Sequence, residues 1–149
     1  MRINISDGGR AAAGFTGRAR DCVCRAIAIA TGRPYPEIHA RLAEGNATQR
    51  ITKRSSKKWA GKRTADHGIQ TSRKWFREYM GELGFAWMPT MRIGQGCKVH
   101  LRDGELPGGK LVVQVSRHFC AVINRVLHDT HDCTRGGMRC VYGYWKLKR

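Results

Sequence analysis

The order of two patterns along the chain predicts an α+β fold. Helical periodicity dominates the first half, and short runs rich in Val, Ile, Phe and Tyr dominate from residue 111 onward. Helices that come first and strands that follow as hairpins call for an antiparallel sheet rather than alternating βαβ units. With 149 residues the chain suits one domain, 1–149, with enough length to bury a core without a structural metal or bridges. Hydrophobic residues at 41% and aromatics at 8% exclude wholesale disorder.

Residues 1–20 are rich in Gly, Ala and Arg and read as extended or irregular. Val23, Ala26, Ile27 and Ala30 then recur at helical spacing, which predicts a helix over Cys22–Thr31 with Asp21 as N-cap and Gly32 as its stop. Apart from Arg25 that helix is apolar nearly all round, so it should be buried on several sides. A second helix is expected over Tyr35–Ala43, with Pro36 in its first turn and Gly45 past its end. A third should run from a Thr71-Ser72 cap to about Leu83, with Trp75, Phe76, Tyr79, Met80 and Leu83 on its apolar face.

Phe85 to Met88 reads as a short strand ending before Pro89. Residues 89–110 hold seven Gly or Pro and read as loops, with one brief strand around Val99–Leu101. Strands are expected at Leu111–Val115, Phe119–Ile123, Val126–Thr130 and Val141–Trp145.

The net charge is +17, from 28 basic and 11 acidic residues, which implies attraction to a polyanion without saying which. Seven of those charges, Arg50, Lys53, Arg54, Lys57, Lys58, Lys62 and Arg63, lie in a stretch without acids between Gly45 and Ala65. Lacking sustained apolar periodicity, the segment at about 45–70 reads as a basic loop or insert. It is either a solvated surface loop or an arm that tracks phosphates, with Trp59 able to stack on a base. No zinc-finger, RNP or helix-turn-helix signature points to sequence-specific readout. No apolar run approaches the roughly 20 residues of a membrane span, and the N-terminal residues lack the apolar core of a secretory signal. The expected setting is therefore the inside of a cell or a particle made in one.

The most specific chemistry lies at two distant points. Cys22 occupies the first turn of the buried helix, where free amides and the helix dipole favour an anion. A thiolate there is a nucleophile once a base reaches it, whereas Cys24 points roughly 200° away around the helix. The best base is His118, which opens an apolar strand. If Asn124-Arg125 forms a two-residue turn, directly opposed residues have numbers summing to 249, so His118 faces His131 and Cys120 faces Asp129. His118 and Asp129 are then diagonal neighbours on one face, about 7–8 Å apart between Cα atoms. A turn one residue longer or shorter reverses the parity and makes Asp132 the facing acid.

The density of His118, Cys120, His128, Asp129, His131, Asp132, Cys133 and Cys140 raises the question of zinc. No C-x-x-C pair or familiar finger spacing occurs, so no metal or other cofactor is expected. Six cysteines in a chain of this kind read as free thiols rather than three bridges. The Gly8–Gly14 run lacks the phosphate-loop pattern.

Asp21-Cys22 at the head of an apolar helix, His118 opening a later strand and Asp129 on the next strand resemble the papain-like cysteine peptidase superfamily, closest to its small C39-like bacterial members. More narrowly, Asp21–Gly32, Pro89–Leu101, Ser116–Asp132 and Arg139–Trp145 resemble uncharacterised bacterial and phage proteins. The resemblance implies a papain-like fold in which a buried nucleophile helix packs on a C-terminal antiparallel sheet. It also implies a peptidase or amidase acting on a peptide or protein substrate. Cys22 would attack an acyl carbon, His118 would shuttle the proton and Asp129 would set the imidazole tautomer. The family also places a Gln shortly before the Cys as an oxyanion donor. Gly14–Arg20 contains none, so a backbone amide, Thr16, Gln95 or Gln114 would have to substitute. The alternative is an inactive papain-like scaffold that binds nucleic acid or forms part of a virion.

Overall fold

The computed structural model describes residues 1–48, 64–66 and 68–148. Six strands form one mixed sheet: β1 (Arg2–Ile5), β2 (Phe85–Pro89), β3 (Lys110–Val115), β4 (His118–Ile123), β5 (Val126–Asp129) and β6 (Val141–Leu147). Their order across the sheet is β1-β5-β4-β3-β6-β2. The described helices are α1 (Cys22–Thr31), α2 (Tyr35–Ala47) and α3 (Lys74–Glu82). The architecture is α+β, and none of these helices is long and apolar enough to cross a membrane.

Strand alternation sorts the core into two halves. Val112, Phe119, Ala121 and Trp145 point to the face covered by the helices, where they join Ile27 of α1, Ile38 and Leu42 of α2, and Phe76 and Met80 of α3. Leu111, Val113, Val115, Cys120, Val122 and Leu127 point the other way and are covered by Leu101, Leu106 and Cys133 from loops. Burial on both faces explains why β3 and β4 read as nearly continuous apolar runs. It also explains α1, which packs against β4, β3 and β5 on one side and α2 on the other.

Several local expectations are corrected. The N-terminal region is not wholly irregular: Arg2–Ile5 pairs in parallel with Val126–Asp129, so the sheet is mixed rather than antiparallel throughout. Its face is exposed, which leaves no hydrophobic alternation to announce it. Asp21 makes no capping hydrogen bond, because its carboxylate is taken by Tyr35 and Arg25. Gly32 does end α1, with φ 71° and its amide donating to the Ala28 carbonyl.

Gly45 does not end α2. The helix runs through it to Ala47, and a Cβ at Gly45 would lie 2.2 Å from the Trp75 ring, so this glycine permits close packing. The cap of α3 is Arg73 rather than Thr71-Ser72.

Both ends of the expected 45–70 insert belong to the packed body. Asn46 is fully buried, and its side-chain amide donates to the Thr64 and Gly68 carbonyls at 3.1 and 3.0 Å. Asp66 accepts from Arg10 at 2.8 Å and contacts His39 at 3.0 Å. Arg50, Lys53, Arg54, Lys57, Lys58, Lys62 and Arg63 lie outside the described residues. The cysteines are not all free: Cys97 and Cys140 form a disulfide that ties the 90–109 loops to the start of β6, beside a bridge between His100 and Cys140.

The β4–β5 turn sets which side chains share a face at the far end of the hairpin. Asn124 and Arg125 have φ 47° and 69°, the left-handed pair of a two-residue turn whose twist suits a hairpin. The turn is clamped by reciprocal hydrogen bonds between Asn124 and Gly109. The resulting pairs, Ala121 with His128, Val122 with Leu127 and Ile123 with Val126, follow the 249 register.

Candidate functional site

Cys22 is the first residue of α1 and is half-buried. It lines a cleft of about 850 Å³ together with His118, the first residue of β4. Asp21's failure to cap leaves the first-turn amides of α1 without a side-chain acceptor from that residue, beside the Cys22 sulfur.

His118 is held from behind. Its Nε2 meets Asp129 Oδ2 at 2.5 Å, and the Asp129 side chain is only 2% exposed. With Nε2 engaged by the carboxylate, Nδ1 is the ring nitrogen available to a thiol. Burial pulls the imidazole toward its neutral form, but hydrogen bonding to Asp129, Cys133 and Cys22 outweighs this and pushes His118 up to about 11. Burial opposes the Asp129 carboxylate, yet His118 and the Thr130 amide hold it down at about 2. The pair is therefore imidazolium and carboxylate at neutral pH.

Of the two acids that parity left open, the structure brings Asp129 to His118. Asp132 instead accepts from the amide and hydroxyl of its neighbour Thr134, at 2.9 and 2.7 Å. His131 does face His118, with ring centroids 5.4 Å apart.

Behind the cleft lies a charged network. Arg25, one turn after Cys22, pairs with Asp21 and reaches Asp129 at 3.4 Å. The Tyr35 hydroxyl donates to Asp21 at 2.6 Å, and Arg10 donates to Tyr35 at 2.8 Å. Arg25 thus ties the carboxylate that orients His118 to the residue preceding Cys22. A lone charge on an otherwise buried apolar helix carries a readable signal, since it requires a buried counter-charge.

Cys133 was legible only as one of many ligand-type residues. It is 2% exposed, and its sulfur lies with His118 and Asp129 in a group whose ligand atoms are all within 4.8 Å of one another. Those three types could hold a metal, but the imidazole is spent on the carboxylate and the Arg25 guanidinium opposes a second cation there. Among the possible oxyanion donors, Gln114 lines the cleft, whereas Thr16 and Gln95 are exposed and do not. Cys24 is fully buried, and burial pushes its thiol up to about 12.

No family model, curated protein or solved structure matches the chain. Its assignment therefore rests on the α+β fold and on the geometry around His118.

Proposed function

We propose that the protein is a papain-like cysteine hydrolase that cleaves a peptide, isopeptide or other amide bond. The observation that carries this reading is the buried Asp129 bound to His118 Nε2, while His118 and Cys22 line one cleft. Cys22 Sγ attacks the carbonyl carbon as a thiolate paired with the imidazolium. The oxyanion is received by backbone amides at the start of α1, with Gln114 among the side-chain donors that line the cleft. His118 gives its proton to the leaving nitrogen and then takes one from the water that hydrolyses the thioester. Asp129 keeps the ring oriented throughout. The test is labelling by a peptidyl electrophile. Cys22→Ala should abolish labelling and turnover while the protein stays folded, and equal labelling of variant and wild type would sink the assignment.

One observation favours a second reading, a non-catalytic scaffold that binds nucleic acid: the net charge of +17 with seven basic residues between 50 and 63. Binding to DNA or RNA should then fall steeply with salt and weaken when residues 50–63 are deleted. Salt-insensitive binding, or none, counts against it.

A further inference from the structure

Beside the cleft opens a second pocket of about 440 Å³, lined by Ser116, Arg117, His118, His131, Arg135 and Arg139. It meets the cleft along Arg117, His118 and His131, which line both. Among the described residues, no acidic side chain lines it.

The three arginines are not equivalent. Arg139 is half-buried and donates to the Ser116 and Cys133 carbonyls, so it forms part of the wall. Arg117 and Arg135 are exposed, and their guanidinium groups have no acid or hydrogen-bond partner among the described residues. The nearby acids are committed elsewhere: Asp129 to His118 and Arg25, Asp132 to Thr134. Arg117 and Arg135 also share a backbone feature, φ 55° and 52°. A side chain in that left-handed region costs about 1 kcal/mol relative to glycine. The chain carries arginine at both positions, and both border this pocket.

We infer that Arg117 and Arg135 form a carboxylate-binding subsite that selects peptide substrates carrying an acidic residue next to the amide presented to Cys22. The inference rests on the hydrolase reading for the role of Cys22. Two planar guanidinium forks match carboxylate geometry. The pocket is large enough for one or two side chains. Among its described lining residues it offers no Trp, Tyr or Phe on which a base could stack, which favours a peptide acid over a nucleic-acid strand.

The experiment is isothermal titration of the full chain carrying Cys22→Ala with a blocked hexapeptide, acetyl-Ala-Gly-Glu-Glu-Gly-Ala-amide, and with its Gln-Gln counterpart. The Glu-Glu peptide should bind at least about ten-fold more tightly. Adding Arg117→Gln and Arg135→Gln should erase the difference, while Lys at both positions should keep part of it. Both side chains are exposed, so the variants should fold, and their melting temperatures check this. Equal affinities, no measurable binding of either peptide, or a preference that survives the Gln substitutions overturns the subsite. Tighter binding of an oligothymidylate than of the Glu-Glu peptide, lost in the same variant, overturns it in favour of nucleic acid. None of these outcomes requires turnover, so failure of Cys22 to label would undo the hydrolase reading and leave this result standing on its own.

Discussion

Cys22 and Cys133 both favour the charged form of His118, but they reach it from different parts of the chain. Cys22 sits at the first turn of α1, half-buried, with the cleft in front of it. Cys133 sits in the connection from β5 to β6, 2% exposed, packed with Cys120 in the core on the far face of the sheet. Hydrogen bonding from Cys120, helped by the imidazole, holds the Cys133 thiol below the usual range, while Cys120 is pushed up. That lowering alone does not make Cys133 the reactive cysteine. Access separates the two thiols, because a nucleophile must meet a substrate and a buried sulfur cannot. The same imidazole can thus serve chemistry at one thiol and structure at the other.

The largest expected effect that probes this contrast comes from Asp129, which holds the shared imidazole. Asp129→Ala should lower turnover about 10²–10⁴-fold, a loss typical of a disoriented general base. It should also cost about 3–5 kcal/mol in urea unfolding, because the buried His118 imidazolium loses its carboxylate while Arg25 keeps only Asp21. Asp129→Asn keeps the shape and should lose activity with a smaller stability cost. Full activity in both variants would remove the basis for treating His118 as the oriented partner of Cys22.

A pH titration of stability comes next. His118 is raised in the folded state from 6.5 to about 11, so its contribution is complete below about pH 6.5 and is lost as pH rises toward 11. Asp129 is lowered from 3.8 to about 2, so its contribution is complete above about pH 3.8 and is lost as pH falls toward 2. The stability difference between wild type and His118→Gln should therefore be greatest between those limits and close on the alkaline side. A difference that grows from pH 7 to pH 10 would show that the ion pair is not formed.

The smallest effect belongs to Cys133→Ser. Labelling should remain at one site with little change in rate, and stability should fall by about 1 kcal/mol, as for other conservative core changes. Loss of labelling in this variant, with labelling retained in Cys22→Ala, would exchange the roles of the two thiols.

How far the sequence carried these assignments differs from element to element. The limits of α1 and the β4–β5 register were legible because each depends on local pattern: apolar spacing closed by Gly32, and a two-residue Asn-Arg turn between apolar runs. That register places Asp129 rather than Asp132 behind His118, so the His118–Asp129 contact was within reach of sequence reasoning. β1 was not, because an exposed four-residue edge strand buries nothing and leaves no alternation. The extent of α2 was misjudged because Gly45 suggests a helix end by itself, and only the Trp75 ring packed over it explains a glycine inside the helix. Likewise, no spacing rule pairs Cys97 with Cys140 across 43 residues.

By itself, then, the sequence determined the α+β class, a cysteine at a helix start and a histidine with its acid, because such features follow from periodicity and turn chemistry over a few residues. Only the tertiary structure decided that Asp21 holds Arg25 and Tyr35 instead of capping its helix, that Cys133 joins the His118 pair, and that Arg117 and Arg135 border one pocket. Those outcomes depend on which buried charges must find partners, a condition set once distant segments meet in a medium too poor in water to solvate them.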